Sequence, residues 1–380
     1  MFEQKENIIG KPGARRTCSL MITHQCNLNC TYCYETHKSD KKMPIELAKD
    51  LVKKEFDLVA GSPEFSELQI DFIGGEPLLC FNMIKELAEW VWSCHQAVDY
   101  IHFATTNGTL LDDLMKAWFA DHKKQFYLAL SLDGSPETQE INRKGSSSRI
   151  DLEFFKRNWP DQGLKMTLSK ESLPSLASDV IYLHKSGFGV SFNPANGVLW
   201  NDEDAKIFEI QLDILADYYL NHPKVLPATA FSQNFTVLLD NTRAPIKKYC
   251  GTGTYMVTYD VDGTPYPCHM FTPIVLGENR TEDLKRFDFF SENLVDSRCE
   301  LCPFLRICPT CYGFNYKFRN NIILRDMGCC RMFKSQIAAT CRFQLNRLAQ
   351  KGLPSYREDL LETKALLYIN DLLHELSVIQ

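Results

Sequence analysis

Three features of the 380-residue sequence predict an α/β protein: an incomplete six-unit β/α barrel, a small cysteine-dense domain and a helical tail. From Thr17 to about His222, short apolar runs alternate with amphipathic stretches, which implies parallel strands with helices outside them. Eight of the fifteen cysteines fall between residues 250 and 330, in loop-rich text whose core calls for metal to supplement it. From Met332 the text is largely helical, with a break near "KGLPSY". The expected boundaries are 15–240, 241–335 and 336–380. Six units suit an incomplete barrel better than a closed eight-fold one, and such a fold gathers its chemistry at the C-terminal ends of its strands.

The units follow in order. "TCSLMITH" precedes the helical spacing of "PIELAKDLVKKEFDLV", with Pro44 in its first turn. "ELQIDFIGG" precedes "NMIKELAEWVWSCHQAV", and "IHFATTNG" precedes "DDLMKAWFADHK". "FYLALSLDG" is followed by "DLEFFKRNW", "LKMTLSK" by "LPSLASDVIYLHKSG", and "GVSFNPAN" by "AKIFEIQLDILADYYL". After about Asn241, "YMVTYDVDGTPYPCHM" carries an Asp-Gly turn and reads as a hairpin.

A formal net charge of -6 argues against a general nucleic-acid binder. The N-terminal text has no apolar signal region and no window reaches eighteen apolar residues, so a cytoplasmic protein without a membrane span is expected. In a reducing compartment fifteen cysteines point to metal binding or catalysis rather than disulfides. Cys18, Cys80, Cys94 and Cys341 are scattered and read as small core residues.

Cys26, Cys30 and Cys33 form a C-x3-C-x2-C loop at the end of the first strand. Three thiolates leave a tetrahedral zinc site open, whereas a four-iron cluster accepts three and leaves one iron free. With Tyr32 before the last cysteine, this loop resembles the cluster loop of radical S-adenosylmethionine (radical SAM) enzymes. The resemblance implies SAM bound on the open iron and its cleavage to a 5′-deoxyadenosyl radical. A zinc knuckle completed by His24 or His37 is the competing reading. "GGEP" (Gly74, Gly75, Glu76, Pro77) ends the second strand and resembles the motif that holds the SAM amino group, its glycines admitting the ligand. "TTNGT" (with Thr106 and Asn107) and "SLDG" (with Ser131 and Asp133) resemble segments near the methionine and ribose parts. Arg143 suits the SAM carboxylate.

The later cysteines resemble the SPASM extension of that family, which carries two auxiliary clusters, so three 4Fe-4S clusters are expected. The pattern assigns Cys250, Cys268 and Cys311 to one auxiliary cluster. It assigns Cys299, Cys302, Cys308 and one of Cys329 and Cys330 to the other, Cys329 being favoured. The first set is one ligand short; Met256 stands where some relatives have a cysteine, so an open iron is expected unless Cys330 fills the gap. A pair of zinc ribbons is the competing reading.

SPASM members mostly modify peptides and proteins. Sulfatase maturases carry a functional aspartate directly after the second SPASM cysteine; here His269 stands there, as a catalytic base or as a donor to a cluster sulfur. The expected activity is a peptide maturase forming a thioether or carbon–carbon cross-link. The alternatives are a sulfatase-type maturase, a small-molecule dehydrogenase or a non-enzymatic metal-binding interaction protein. Expected partners are a peptide or protein substrate and an electron donor such as flavodoxin or ferredoxin; with no peptide-recognition domain expected before residue 17, either a separate recognition protein supplies one or the leader binds elsewhere. Aromatic "YGFNYKF" reads as packing around the clusters.

Overall fold

A computed structural model of the chain describes residues 14–94, 97–240, 248–281, 284, 287–289, 293–351 and 357–378. It is an α/β fold with a mostly parallel sheet. Strands β1 (Ala14–Thr23), β2 (Phe65–Gly74), β3 (Asp99–Thr106) and β4 (Phe126–Leu130) alternate with helices α1 (Ile45–Ala60), α2 (Phe81–Ser93) and α3 (Asp113–Asp121). Two short helices, α4 (Pro136–Asn142) and α5 (Leu152–Asn158), lead to β5 (Leu164–Leu168). Then come α6 (Leu176–Lys185), β6 (Val190–Pro194) and α7 (Asp202–Asn221).

Alternation sets the core. Leu68, Ile70 and Phe72 of β2, all at 0% exposure, pack under the helices with Cys18, Leu20 and Ile22 of β1. Gln69, Asp71 and Ile73 face the other, helix-free side. The strand order is β4-β3-β2-β1 with parallel pairing throughout. β5 and β6 form a separate parallel pair. A bridge between Ser131 and Lys165 connects the two, and the Leu132 amide donates to the Lys165 carbonyl at 3.0 Å.

The hairpin expected at 255–270 exists as β7 (Met256–Tyr259) and β8 (Pro265–Tyr266), but it does not stand apart. β7 pairs in parallel with β1, extending the main sheet at an edge that no local pattern announces. His24 Nε2, buried, meets Asp260 Oδ1 at 2.7 Å and fastens the end of β1 to this hairpin. Beyond it lie α8 (Pro273–Leu276), α9 (Tyr312–Arg319), α10 (Met327–Lys351) and α11 (Arg357–Val378). α10 begins before Met332, so Cys329 and Cys330 lie in its first turn. The expected break near "KGLPSY" falls mainly on 352–356, outside the described residues. Arg342 pairs α10 with Glu209 and Asp213 of α7, both at 2.8 Å. Cys18 and Cys341 are core residues; Cys80 and Cys94 are half-buried. No described helix is long and apolar enough to cross a membrane.

Candidate active site

After Thr23 the chain leaves β1 into the loop carrying Cys26, Cys30 and Cys33. The end of β2 makes room for it. A Cβ on Gly74 would lie 2.5 Å from the Thr23 carbonyl oxygen, and one on Gly75 2.3 Å from that of Gln25. The Gly75 and Glu76 amides donate to those carbonyls at 3.2 and 2.8 Å. The two glycines thus admit the chain's own loop, in the space the sequence reading gave to a ligand. Pro77 follows, buried, at the start of a 3-10 turn over Pro77–Cys80.

Glu76 is 2% exposed. Its Oε1 accepts from Thr106 Oγ1 at 2.7 Å and the Leu78 amide at 3.1 Å; its Oε2 accepts from the Asn107 amide at 2.8 Å. Burial raises its pKa, and these three donors hold it down. Asn107 Nδ2 also donates to Asn27 Oδ1 at 2.9 Å, fastening the end of β3 to the cysteine loop.

At the end of β4, Asp133 is fully buried and accepts from Arg143 Nε and the Thr167 amide, each at 2.9 Å, and from the Tyr32 hydroxyl. Arg143 lies over the Tyr32 ring, 5.5 Å from its centre. Two of the arginine's nitrogens are therefore engaged by Asp133; Nη1 has no acceptor among the described residues. Ser131 donates its amide to the Thr106 carbonyl at 2.9 Å, and its side chain is half-buried.

The later cysteines separate into two groups. Cys268 is surrounded by Cys250 and Cys311, and burial pushes it up to about 12 and Cys311 to about 11. The Thr252 hydroxyl is buried there without a nitrogen or oxygen partner and faces Cys268. Cys299, Cys302, Cys308 and Cys330 form the second group, around the guanidinium of Arg325, which is 5% exposed. Arg325 Nε has no partner. Cys330, not the favoured Cys329, is the member from α10. Neighbouring helical residues point about 100° apart, and the Cys329 thiol turns to Asn196 Oδ1, 3.8 Å away.

Tyr34 is close enough to both cysteine fields to feel Cys33 as well as Cys268 and Cys311. Its ring is 5.5 Å from Phe314 and 5.9 Å from His269. His269 is half-buried; burial and the charge of Lys165 push its pKa down to about 4.

These donors fit iron–sulfur clusters. The orphaned Thr252 hydroxyl suits an acceptor sulfur, and the buried Arg325 suits the net negative charge of a thiolate-ligated cluster. His24 is engaged by Asp260 and Ser39 and His37 is exposed, so neither completes a zinc knuckle. Thr252, Arg325, Asn27 and Tyr34 were not singled out from sequence; proximity to the cysteines in the text was their only signal.

Residues 20–156 match the Radical SAM superfamily. The chain is 29% identical over 180 residues to an uncharacterized protein of Methanocaldococcus jannaschii, spanning 58% of that protein. It is 22% identical over 333 residues to the cysteine-type anaerobic sulfatase-maturating enzyme of Clostridium perfringens, covering 74% of this chain and 84% of the relative. It is 21% identical over 378 residues to the radical SAM cyclopropyl synthase TigE of Paramaledivibacter caminithermalis, covering 92% and 77%. The fold is similar to a solved structure of native anSMEcpe with bound AdoMet and a Kp18Cys peptide. That match has a TM-score of 0.66 at 18% identity and covers 89% of this chain and 100% of that one. Residues 20–156 thus carry a radical SAM domain, similar to those of the sulfatase-maturating enzyme and the cyclopropyl synthase. That family uses SAM and a 4Fe-4S cluster.

Proposed function

We propose that this enzyme is a maturase that oxidises a ribosomally made peptide, closing an intramolecular thioether or carbon–carbon bond. What carries the reading is the convergence of the three-thiol loop with Glu76, Asn107 and the Asp133–Arg143 pair at the ends of β1 to β4. Peptide or protein chemistry is supported by the name of the sulfatase-maturating relative and by the peptide bound in the related solved structure.

Cys26, Cys30 and Cys33 would hold the cluster that takes SAM. When bound, the pair supplies the one-electron chemistry that removes a hydrogen atom from a substrate carbon. Glu76 has about four lone-pair positions; three are used, and the fourth, on Oε2, suits the SAM ammonium. Arg143 Nη1 suits its carboxylate, with Asp133 and Tyr32 holding the guanidinium in place. Cys250, Cys268 and Cys311 would hold one auxiliary cluster, with Thr252 donating to it and one iron open. Cys299, Cys302, Cys308 and Cys330 would hold the other, its charge balanced by Arg325. His269, neutral at physiological pH, would take the proton released as the peptide is oxidised.

A sulfatase-type maturase, which forms an aldehyde, is the second reading, favoured by the length of the match to the Clostridium enzyme. Anaerobic co-expression with short peptides encoded beside the gene, followed by tandem mass spectrometry, separates the two. A loss of two hydrogens without reactivity toward a hydrazide supports the cross-link. A hydrazide-reactive product assigns the aldehyde. Unmodified peptides count against both for those sequences.

A further inference from the structure

We propose that Lys165 anchors a carboxylate of the substrate, so that the peptide carries an aspartate or glutamate beside the carbon that is modified. The inference rests on the peptide reading above and adds the charge class of the substrate.

In β5, Leu164, Met166 and Leu168 are at most 2% exposed, beneath the helices. Lys165 therefore projects from the helix-free side of the sheet, where it keeps accessible surface although desolvation by the surrounding protein lowers its pKa. Its ammonium donates to Thr105 Oγ1 at 2.8 Å and sits 4.7 Å from the centre of the Phe103 ring. An ammonium has three hydrogens to give. Among the described residues Thr105 is its one hydrogen-bond acceptor, and no carboxylate forms an ion pair with it. Asp71 of β2 attracts it from a distance, and the Asp71 Oδ1 is itself buried and unpartnered. Burial lifts Asp71 to about 7, so this carboxyl only partly offsets the lysine's charge at neutral pH.

Position matters as much as charge. The Lys165 backbone bridges to Ser131, two residues before Asp133, and its charge reaches His269 from the later segment. Both the SAM-side end of β4 and His269 therefore lie within reach of this ammonium's charge. A neutral carbonyl would satisfy one hydrogen and leave the charge without a partner; a carboxylate satisfies both.

The test uses the full chain, purified anaerobically with its clusters and saturated with SAM. Binding of acetyl-Gly-Glu-Gly-amide, acetyl-Gly-Gln-Gly-amide and acetyl-Gly-Lys-Gly-amide is measured by ligand-observed NMR titration. The glutamate peptide is expected to bind about tenfold tighter than the glutamine peptide, with the lysine peptide weakest. Lys165→Met should abolish that preference and Lys165→Arg should keep it, with thermal unfolding recorded for both. If Lys165→Met does not fold, the wild-type ranking decides. Equal binding of the glutamate and glutamine peptides, or tighter binding of the lysine peptide, overturns the anchor while leaving the peptide reading standing. Absence of binding by all three overturns the anchor and counts against the peptide reading as well.

Discussion

Glu76 and His102 are both buried, and their different surroundings give them different consequences. Glu76 is surrounded by donors from the ends of β2 and β3, so its carboxylate is satisfied and aimed rather than stranded. Glu76→Gln replaces a charged acceptor with a neutral amide whose NH2 faces those donors. Losing one charge-assisted contact of about 2 kcal/mol should weaken SAM binding by more than tenfold in anaerobic equilibrium dialysis. Undiminished binding would remove Glu76 from the ammonium site. His102 is 0% exposed, and among the described residues neither ring nitrogen has a hydrogen-bond partner; its ring packs against Phe72 and Phe126, with centroids 6.0 and 5.9 Å away. Burial pushes its pKa down to about 4 from an ordinary 6.5. Between those values the unfolded chain binds a proton that the folded chain refuses. Stability is thus fully present above pH 6.5 and declines as pH falls toward 4, by as much as ~3 kcal/mol. Denaturant unfolding should show that slope, and His102→Phe should remove its share of it.

At the scale of elements, the cysteine loop and the end of β2 are one structural unit. Gly75→Ala places a methyl group 2.3 Å from the Gln25 carbonyl and 2.9 Å from the Cys26 Cβ, so the loop must shift away from β2. The variant is expected to assemble less of the cluster at Cys26, Cys30 and Cys33, read as reduced iron per chain after anaerobic reconstitution. Iron equal to wild type would show that the close approach is dispensable. The strand–helix alternation and the cysteine spacings were legible in the sequence because both are local patterns. The role of the glycines was not, since it depends on a contact between segments about fifty residues apart. The choice of Cys330 over Cys329 depended on where α10 begins and hence on helical phase. Lys165 did leave a signal, a charged residue inside the apolar strand text "LKMTL"; only the pairing of β5 reveals which side it faces.

For the whole molecule, the sequence announced a change of character near residue 241, and the structure shows how closely the later segment is joined to what precedes it. β7 completes the edge of β1, His24 meets Asp260, and Lys317 Nζ donates to the Tyr34 carbonyl at 2.6 Å and the Val275 carbonyl at 2.7 Å. Lys317 thus ties the first cysteine loop to the segment bearing the others. Lys317→Met strands those carbonyls and should cost about 1–3 kcal/mol, lowering the Tm by several degrees in differential scanning calorimetry; an unchanged Tm would mean the tie carries no stability. No local pattern foretold these ties, because each joins residues more than two hundred positions apart or across the two cysteine fields.

We propose that three separate thiol sets hold three four-iron clusters. Iron and acid-labile sulfide per chain, measured on anaerobically reconstituted protein and on the Cys26→Ala/Cys30→Ala/Cys33→Ala variant, test it most directly. Three clusters give about twelve of each in the wild type and about eight in the variant. Zinc without sulfide, or an iron content that the triple substitution leaves unchanged, would contradict it.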